Sequence, residues 1–454
     1  MKRTIFLTVA LLCVVRYSLA AVVAPPAAGS NRDVLVLTDL HIGTSGGYGI
    51  EDFYYDEDLT SLLAHQLKKQ KKTGRGQTLV LAGDTFEFRK TAHSPKGHPV
   101  GSAEAARLHV RKIAASHPKV FQAFSHFLDA GNSIVIVAGN HDTDTNHHAV
   151  QAEFRRILAT QMRVKKKPDV TFSPWFYLIG NALIEHGQRY EATNSVDHML
   201  CHADVDGVLR EAESDLIVKE LVTPLMKKHG RLLCQKMRPR KLWGLFRALP
   251  SALVDLFRFS HRLHRQIPAI TDAKDASLRA KQKEKIREIV QKGDFLENFN
   301  TLRVAMGQRQ LTAMQAYLQL VAFNNLATTS TLRDTKSRTF LHFLWKRFRH
   351  WRDPSVEGSI QRAEAFVLRH FPTDVFVAGH THLPHHRQTQ SPSGRQKHSL
   401  NPGSWSELPR SAKPKKSTGL HYVELRMNDG RATPALSRWR TPVRAAKHKP
   451  ISSK

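Results

Sequence analysis

Four short, largely apolar runs punctuate the chain: Val34-Leu35-Val36-Leu37, Thr78-Leu79-Val80-Leu81, Ser133-Ile134-Val135-Ile136-Val137 and Asp374-Val375-Phe376-Val377-Ala378. Without polar alternation, such runs suit strands buried on both faces, so each predicts a buried strand. Helical spacing fills the first intervals. Leu59, Leu62, Leu63 and Leu67 give residues 58–72 one apolar face, a second helical stretch covers 102–129, and a third covers about 150–161. Trp175-Phe176-Tyr177-Leu178-Ile179 and Ala182-Leu183-Ile184 flank Gly180-Asn181, a turn signal that predicts an antiparallel hairpin. A helix over 359–371 precedes the fourth run, and residues 420–427 and 435–439 predict two further strands. Strands alternating with helices place the chain in the α/β class.

The rhythm fails between His186 and His380, which are 194 residues apart, far beyond an ordinary connection. Leu242, Leu245, Phe246, Leu249, Leu253, Leu256 and Phe257 recur there at helical spacing, with Pro250 starting a new helix or kinking this one. Residues 281–291 read as a charged helix. Segment 227–266 holds eleven Lys or Arg against the single acidic Asp255, and a basic-aromatic patch follows at 343–351. The chain therefore divides into a first core part (33–199), a basic helical insertion (200–357), a second core part (358–440) and a basic tail (441–454). The insertion has three readings: a helical subdomain with solvated charges, a lid or surface meeting anionic lipid head groups, or a nucleic-acid binder.

Composition changes the picture in two respects. A formal charge of +30 over 454 residues, with pI near 10.3, predicts an anionic partner, while 41% hydrophobic residues suffice for a sizeable core. The first residues pair Lys2-Arg3 with an apolar run and the small residues Ser18 and Ala20, the pattern of a secretory signal over 1–20. Cleavage before Ala21 is the expectation; an uncleaved anchor is the alternative, because Arg16 interrupts the run. Residues 21–32 form a linker. The protein is thus expected to be exported, periplasmic or secreted, and membrane-associated if the insertion meets lipid. That location disfavours nucleic acid. Cys201 and Cys234 offer one bridge in an oxidising compartment, which is no disulfide framework.

Candidate chemistry gathers at the strand ends. Asp39 and His41 follow the first run, Gly83-Asp84 with Glu87 the second, Gly139-Asn140-His141-Asp142 the third, His186 the hairpin and Gly379-His380-Thr381-His382 the fourth. Carboxylate, amide and imidazole suit hard or borderline divalent ions. Taken singly the residues have plainer roles: Asp84 and Asn140 as turn formers, Asp142 as a helix cap, and a His-x-His pair as chance among 26 His. Their shared position, where ligand sites of open α/β sheets gather, argues for one site. His93, His98, His147, His148, His385 and His386 lack that context and read as surface or loop residues, with His385 or His386 near substrate.

Five motifs in this order resemble the signature of the calcineurin-like metallophosphoesterases, over residues 33–190 and 360–440. The resemblance implies a four-layer α/β/β/α sandwich with a large helical insertion. It also implies two divalent metal ions: manganese, iron, zinc or cobalt. Asp39, His41 and His382 would hold one ion, Asn140, His186 and His380 the other, and Asp84 both. Such a pair lies about 3.5–4 Å apart and lowers the pKa of a bridging water, so that hydroxide attacks phosphorus in line. His141 would protonate or stabilise the leaving oxygen, Asp142 would orient His141, and Glu87 would stand behind the ligands. Tyr190, Glu191 and Asn194 resemble an ordered loop that many members carry, and Asn401-Pro402-Gly403-Ser404-Trp405 resembles the turn after the last ligand motif. The insertion is similar in position and composition to the helical lid of UDP-2,3-diacylglucosamine pyrophosphatases, although Gly-Asn-His-Asp departs from that branch's Gly-Asn-Arg-Asp. The implied function is hydrolysis of a phosphate ester or pyrophosphate, as a phosphodiesterase or pyrophosphatase on an anionic lipid or nucleotide. The alternatives are a phosphomonoesterase and a non-catalytic scaffold that binds anionic membrane through its insertion.

Overall fold

A computed structural model describes residues 32–44, 53–89, 98, 101–191, 194, 373–391, 394–406 and 420–440, with single positions at 224, 228, 254, 255, 258, 261, 361, 364, 365, 367 and 368. The expected signal, His93, nearly all of the linker and insertion, the patch at 343–351 and the basic tail lie outside the described residues. The chain runs β1 (Asp33–Leu37), α1 (Asp56–Thr73), β2 (Gln77–Ala82), α2 (Ala103–Ser116), α3 (Pro118–Asp129), β3 (Ser133–Val137), α4 (His148–Gln161) and β4 (Val170–Ser173). Then follow β5 (Phe176–Ile179), β6 (Ala182–Glu185), β7 (Val375–Ala378), β8 (His385–Gln390), β9 (Gln396–Asn401), β10 (Leu420–Asn428) and β11 (Arg431–Trp439).

Two mixed sheets form. The first has the order β11-β10-β1-β2-β3-β4, with β1 to β4 parallel and the β10–β11 hairpin antiparallel at one edge. The second has the order β5-β6-β7-β9-β8. Leu35, Leu37, Leu79, Leu81, Ile134 and Ile136 face helices through Leu62, Phe121 and Phe154, while Val34, Val36, Val80, Val135 and Val137 meet Ala182, Ile184, Val375, Val377 and Leu400 of the second sheet. Both faces of β1 to β3 are therefore covered, which is why these strands lack polar alternation. Helical Glu364 accepts from Arg387 of β8, so a fourth layer lies against the second sheet. Among the described residues no helix is long and apolar enough to cross a membrane.

Three features depart from the sequence reading. Residues 102–129 form two helices, because Pro118 lacks an amide proton and restricts His117, whose φ of −125° and ψ of 55° leave the helical region. His385 and His386 belong to β8, an edge strand whose polar sequence carries no alternation signal, and not to a loop. Strands β4 and β9 were likewise not anticipated. The predicted hairpin does form, with Ile179 opposite Ala182. Strand β7 then pairs parallel with β6, Glu185 opposite Ala378, and so sets residue 186 beside 379–382 despite the long intervening segment.

Candidate metal centre

The carboxyl ends of β1, β2, β3, β6 and β7 converge at one edge of the sandwich, and each strand continues into a sharp turn. Asp39, His41, Asp84, His380 and His382 have φ between 48° and 67°; Asp429 is the only other non-Gly residue with positive φ among the described residues. Left-handed backbone at such residues costs of order 1 kcal/mol each and persists only where the surroundings impose it. Here they do. Ser404 Oγ and the Trp405 amide both donate to the Asp39 carbonyl, at 2.9 and 3.1 Å. Buried Asn401 donates from Nδ2 to the Gly379 carbonyl and to Thr381 Oγ1, both at 2.9 Å, and accepts from the Gly403 amide at 2.7 Å. A side chain at Gly139 would collide with the Asp84 carboxylate, and one at Gly379 with that of Asp39, so both turns approach too closely for a Cβ.

All seven candidate ligands lie together. Asp39, His41 and His382 offer ligand atoms within 4.8 Å of one another, as do Asp84, His186 and His380. Asp84 Oδ2 stands between the sets, 3.2 Å from His186 Nε2 and 3.7 Å from His41 Nε2. Asn140 Oδ1 is 3.2 Å from His186 Nε2, and His382 Nε2 is 3.1 Å from Asp39 Oδ1. Asp39 and His186 are fully buried whereas the His382 side chain is 42% exposed, so the site opens on the His382 side. The outer ring nitrogens are engaged elsewhere: His41 Nδ1 meets Glu87 at 3.2 Å, and His186 Nδ1 meets the Ala82 carbonyl at 3.2 Å. This turns both Nε2 atoms inward, the orientation a metal-ligating imidazole needs, and the oxygen and nitrogen donors fit a divalent ion. Burial would raise the Asp39 carboxyl, yet the His382 and His186 rings bring it down to about 2. Burial would likewise lower His186, yet Asp84 and Asp39 carry it up to about 9.

His141 shares a third cluster with His41 and Asp84, its ring centroid 4.8 Å from that of His41. Its orienting partner is Glu87, not Asp142 as the sequence suggested. The buried Glu87 carboxylate takes His141 Nδ1 at 3.0 Å as well as His41 Nδ1, and accepts from the Arg89 amide at 2.9 Å. Asp142 points into the turn instead, accepting from the amides of Gly139 at 2.6 Å, Thr85 at 2.8 Å and Phe86 at 3.3 Å. It binds the β2 and β3 turns together. Burial, reinforced by the Asp84 charge, pushes its carboxyl up to about 7 against those amide donors. His385 and His386 face other partners, Glu364 at 3.1 Å and His398 at 3.0 Å respectively. The support from Asn401 was missed, its one sequence signal being the Asn-Pro-Gly-Ser-Trp turn.

Residues 33–237 match the model of the family described as calcineurin-like phosphoesterase. The match includes Asp39, His41, Asp84, Asn140 and His186 and ends before His380 and His382, which the β6–β7 pairing brings to the same site. No curated protein matches the chain.

Proposed function

Because the chain carries a calcineurin-like phosphoesterase domain, of a family that hydrolyses phosphate esters with divalent metals, we propose that its substrate is a phosphodiester or pyrophosphate in an anionic lipid or nucleotide. The observation that supports this reading is the Glu87–His141 pair at the edge of the metal-fit cluster. Cleavage of a diester expels a poorly stabilised oxygen that gains from a positioned donor. Glu87 holds Nδ1 of His141, so Nε2 is the atom offered to the leaving oxygen. In this reading Asp39, His41 and His382 hold one ion, Asn140, His186 and His380 hold a second, and Asp84 serves both. Two such ions, when bound, activate a water and offset charge on the phosphoryl group. Asp142 keeps the two central turns in register. The charge of +30 favours an anionic substrate, and the basic insertion read at 200–357 is the proposed contact with anionic membrane in an exported protein.

Metal analysis of purified protein, combined with assays on an aryl monoester, an aryl diester and a lipid pyrophosphate, tests the proposal. Expected are two bound ions, fastest turnover of the diester or pyrophosphate, loss of turnover in Asp84→Asn, and a fall of about 100-fold or more in His141→Ala. Faster monoester cleavage would assign the phosphomonoesterase reading. Inactivity of the metal-loaded protein on the whole panel would leave the scaffold. Flotation with anionic and neutral liposomes tests membrane contact, which fails if binding ignores lipid charge.

A further inference from the structure

Glu191 is a carboxylate at this site without an assigned role. It follows the single helical turn Gln188–Tyr190 after His186, and its Oε2 lies 2.7 Å from Nε2 of His380. An ionised carboxylate only accepts hydrogen bonds, so at this contact Nε2 of His380 is the donor and Nδ1 is the ring nitrogen left to face elsewhere. Glu191 is held in turn by Asn194, whose Nδ2 donates to the same Oε2 at 2.6 Å and whose Oδ1 accepts from Asn140 Nδ2 at 3.4 Å. Beneath this loop, Tyr190 and Trp175 donate to buried Glu185 at 2.5 and 3.0 Å, anchoring the turn to the end of β6. A continuous set of contacts therefore joins Asn140, Asn194, Glu191 and His380, residues from three separate loops.

We propose that Glu191 is the positioning residue of His380: it fixes the ring with Nδ1 available to an ion shared with Asp84 and His186, and Asn194 fixes Glu191. The inference rests on the reading of Asp84, His186 and His380 as an ion position. His41 and His186 are held through Nδ1 by Glu87 and the Ala82 carbonyl; His380 is held through the opposite nitrogen. The Glu191 side chain is 23% exposed, so its placement depends on Asn194 more than on burial. An outer partner of this kind typically changes metal affinity 10- to 100-fold.

The test is titration of the full-length, chelator-stripped protein with Mn²⁺, followed by calorimetry and by electron paramagnetic resonance, for wild type, Glu191→Ala, Glu191→Gln, His380→Ala and the double variant Glu191→Ala/His380→Ala. Expected is an apparent Kd about 10- to 100-fold higher for one class of ion in Glu191→Ala, with the other class within about twofold. Glu191→Gln, which keeps an acceptor oxygen, loses less. In the His380→Ala background, removal of Glu191 adds nothing, since the two residues act through one contact. An unchanged urea midpoint in chelator shows that the fold is intact. Wild-type affinities in Glu191→Ala, or an equal loss with and without His380, overturn the proposal while leaving the metal-centre reading in place. The wild type is also titrated with Zn²⁺ by calorimetry, and a wild-type protein that binds neither ion overturns both.

Discussion

Replacing Glu87 by Gln changes one atom and almost no volume, so its effect reports on what the carboxylate does. Glu87 is fully buried and serves the Arg89 amide and His141 Nδ1 through Oε1, at 2.9 and 3.0 Å, and His41 Nδ1 through Oε2, at 3.2 Å. A glutamine keeps one acceptor oxygen and presents an NH₂ where the second stood. If the oxygen stays with Arg89 and His141, His41 faces a donor and must surrender its Nδ1–H, moving its proton to Nε2 and removing the lone pair aimed at Asp84. A hydrogen bond to a charged group is worth about 1.5–3 kcal/mol, so one ion should bind roughly 10- to 150-fold more weakly. Isothermal titration with Mn²⁺ reads this directly, and kcat on a diester should fall with it because one ion position is weakened while His141 keeps only a neutral acceptor. Asp142→Asn is the contrasting variant. Its carboxylate serves backbone amides, so the change should lower the urea midpoint by an amount corresponding to about 1–3 kcal/mol and affect turnover less than Glu87→Gln does. Glu87→Gln binding Mn²⁺ like wild type, or Asp142→Asn giving the larger loss in kcat at full metal loading, would refute the assignment.

Asn401→Ala removes three hydrogen bonds from the turn that carries His380 and His382 and should destabilise the fold by about 2–4 kcal/mol in urea unfolding, while weakening Mn²⁺ binding; wild-type values in both would refute it. Gly139→Ala should lower both the urea midpoint and the bound metal content, because the added methyl would lie 2.2 Å from the Asp84 carboxylate and 2.4 Å from its backbone nitrogen, which must shift. His109, buried against Phe88, is lowered to about 4, chiefly by burial, which outweighs the opposing pull of Asp144. With the folded value below the unfolded one, its stabilising contribution is complete above pH 6.5 and is lost as pH falls toward 4. Between pH 7.5 and 5 the stability of His109→Gln relative to wild type should therefore improve by about 2 kcal/mol, measured by urea unfolding at both values. An unchanged difference would show that His109 does not carry this dependence.

Strands β1, β2, β3 and β7 were legible because burial on both faces demands unbroken apolar runs, and the gathering of the candidate ligands was legible because each run ends in a ligand type. What stayed hidden has physical reasons. Polar β8 is an edge strand whose side chains need not alternate, β9 beside it buries polar Lys397, Ser399 and Asn401 and so shows no apolar run, and the break at Pro118 was masked by apolar spacing that continues through α3. Nothing in the residue types announces that Asp39, His41, His380 and His382 are left-handed, since donors distant in sequence, such as Asn401 and Ser404, impose it. Asp142 was paired with His141 because they are neighbours in the chain. On this turn neighbouring side chains diverge, and the imidazole meets Glu87, 54 residues earlier, instead.

The distribution of buried charge ties the site to the stability of the fold. Asp39, Asp84, Glu87 and Asp142 are each no more than 2% exposed. Charges buried to that degree must be compensated. For Glu87 and Asp142 the chain supplies imidazole or amide N–H donors. Asp84 and Asp39 each accept one backbone amide, from His141 at 2.8 Å and His380 at 3.0 Å, but their other oxygens face His186 Nε2 and His382 Nε2, atoms of the two clusters that fit an ion. A proton on those nitrogens and a divalent cation between the residues meet the same electrostatic need and exclude each other. In the proposed two-ion reading, the free energy of ion binding adds to that of the fold. At a free ion concentration 100 times Kd the addition is about 2.7 kcal/mol, enough to offset the left-handed backbone cost of two or three of the five strained positions. The turns are thus held by hydrogen bonds from Asn401, Ser404 and Asp142, and an ion bound as proposed would add to that hold.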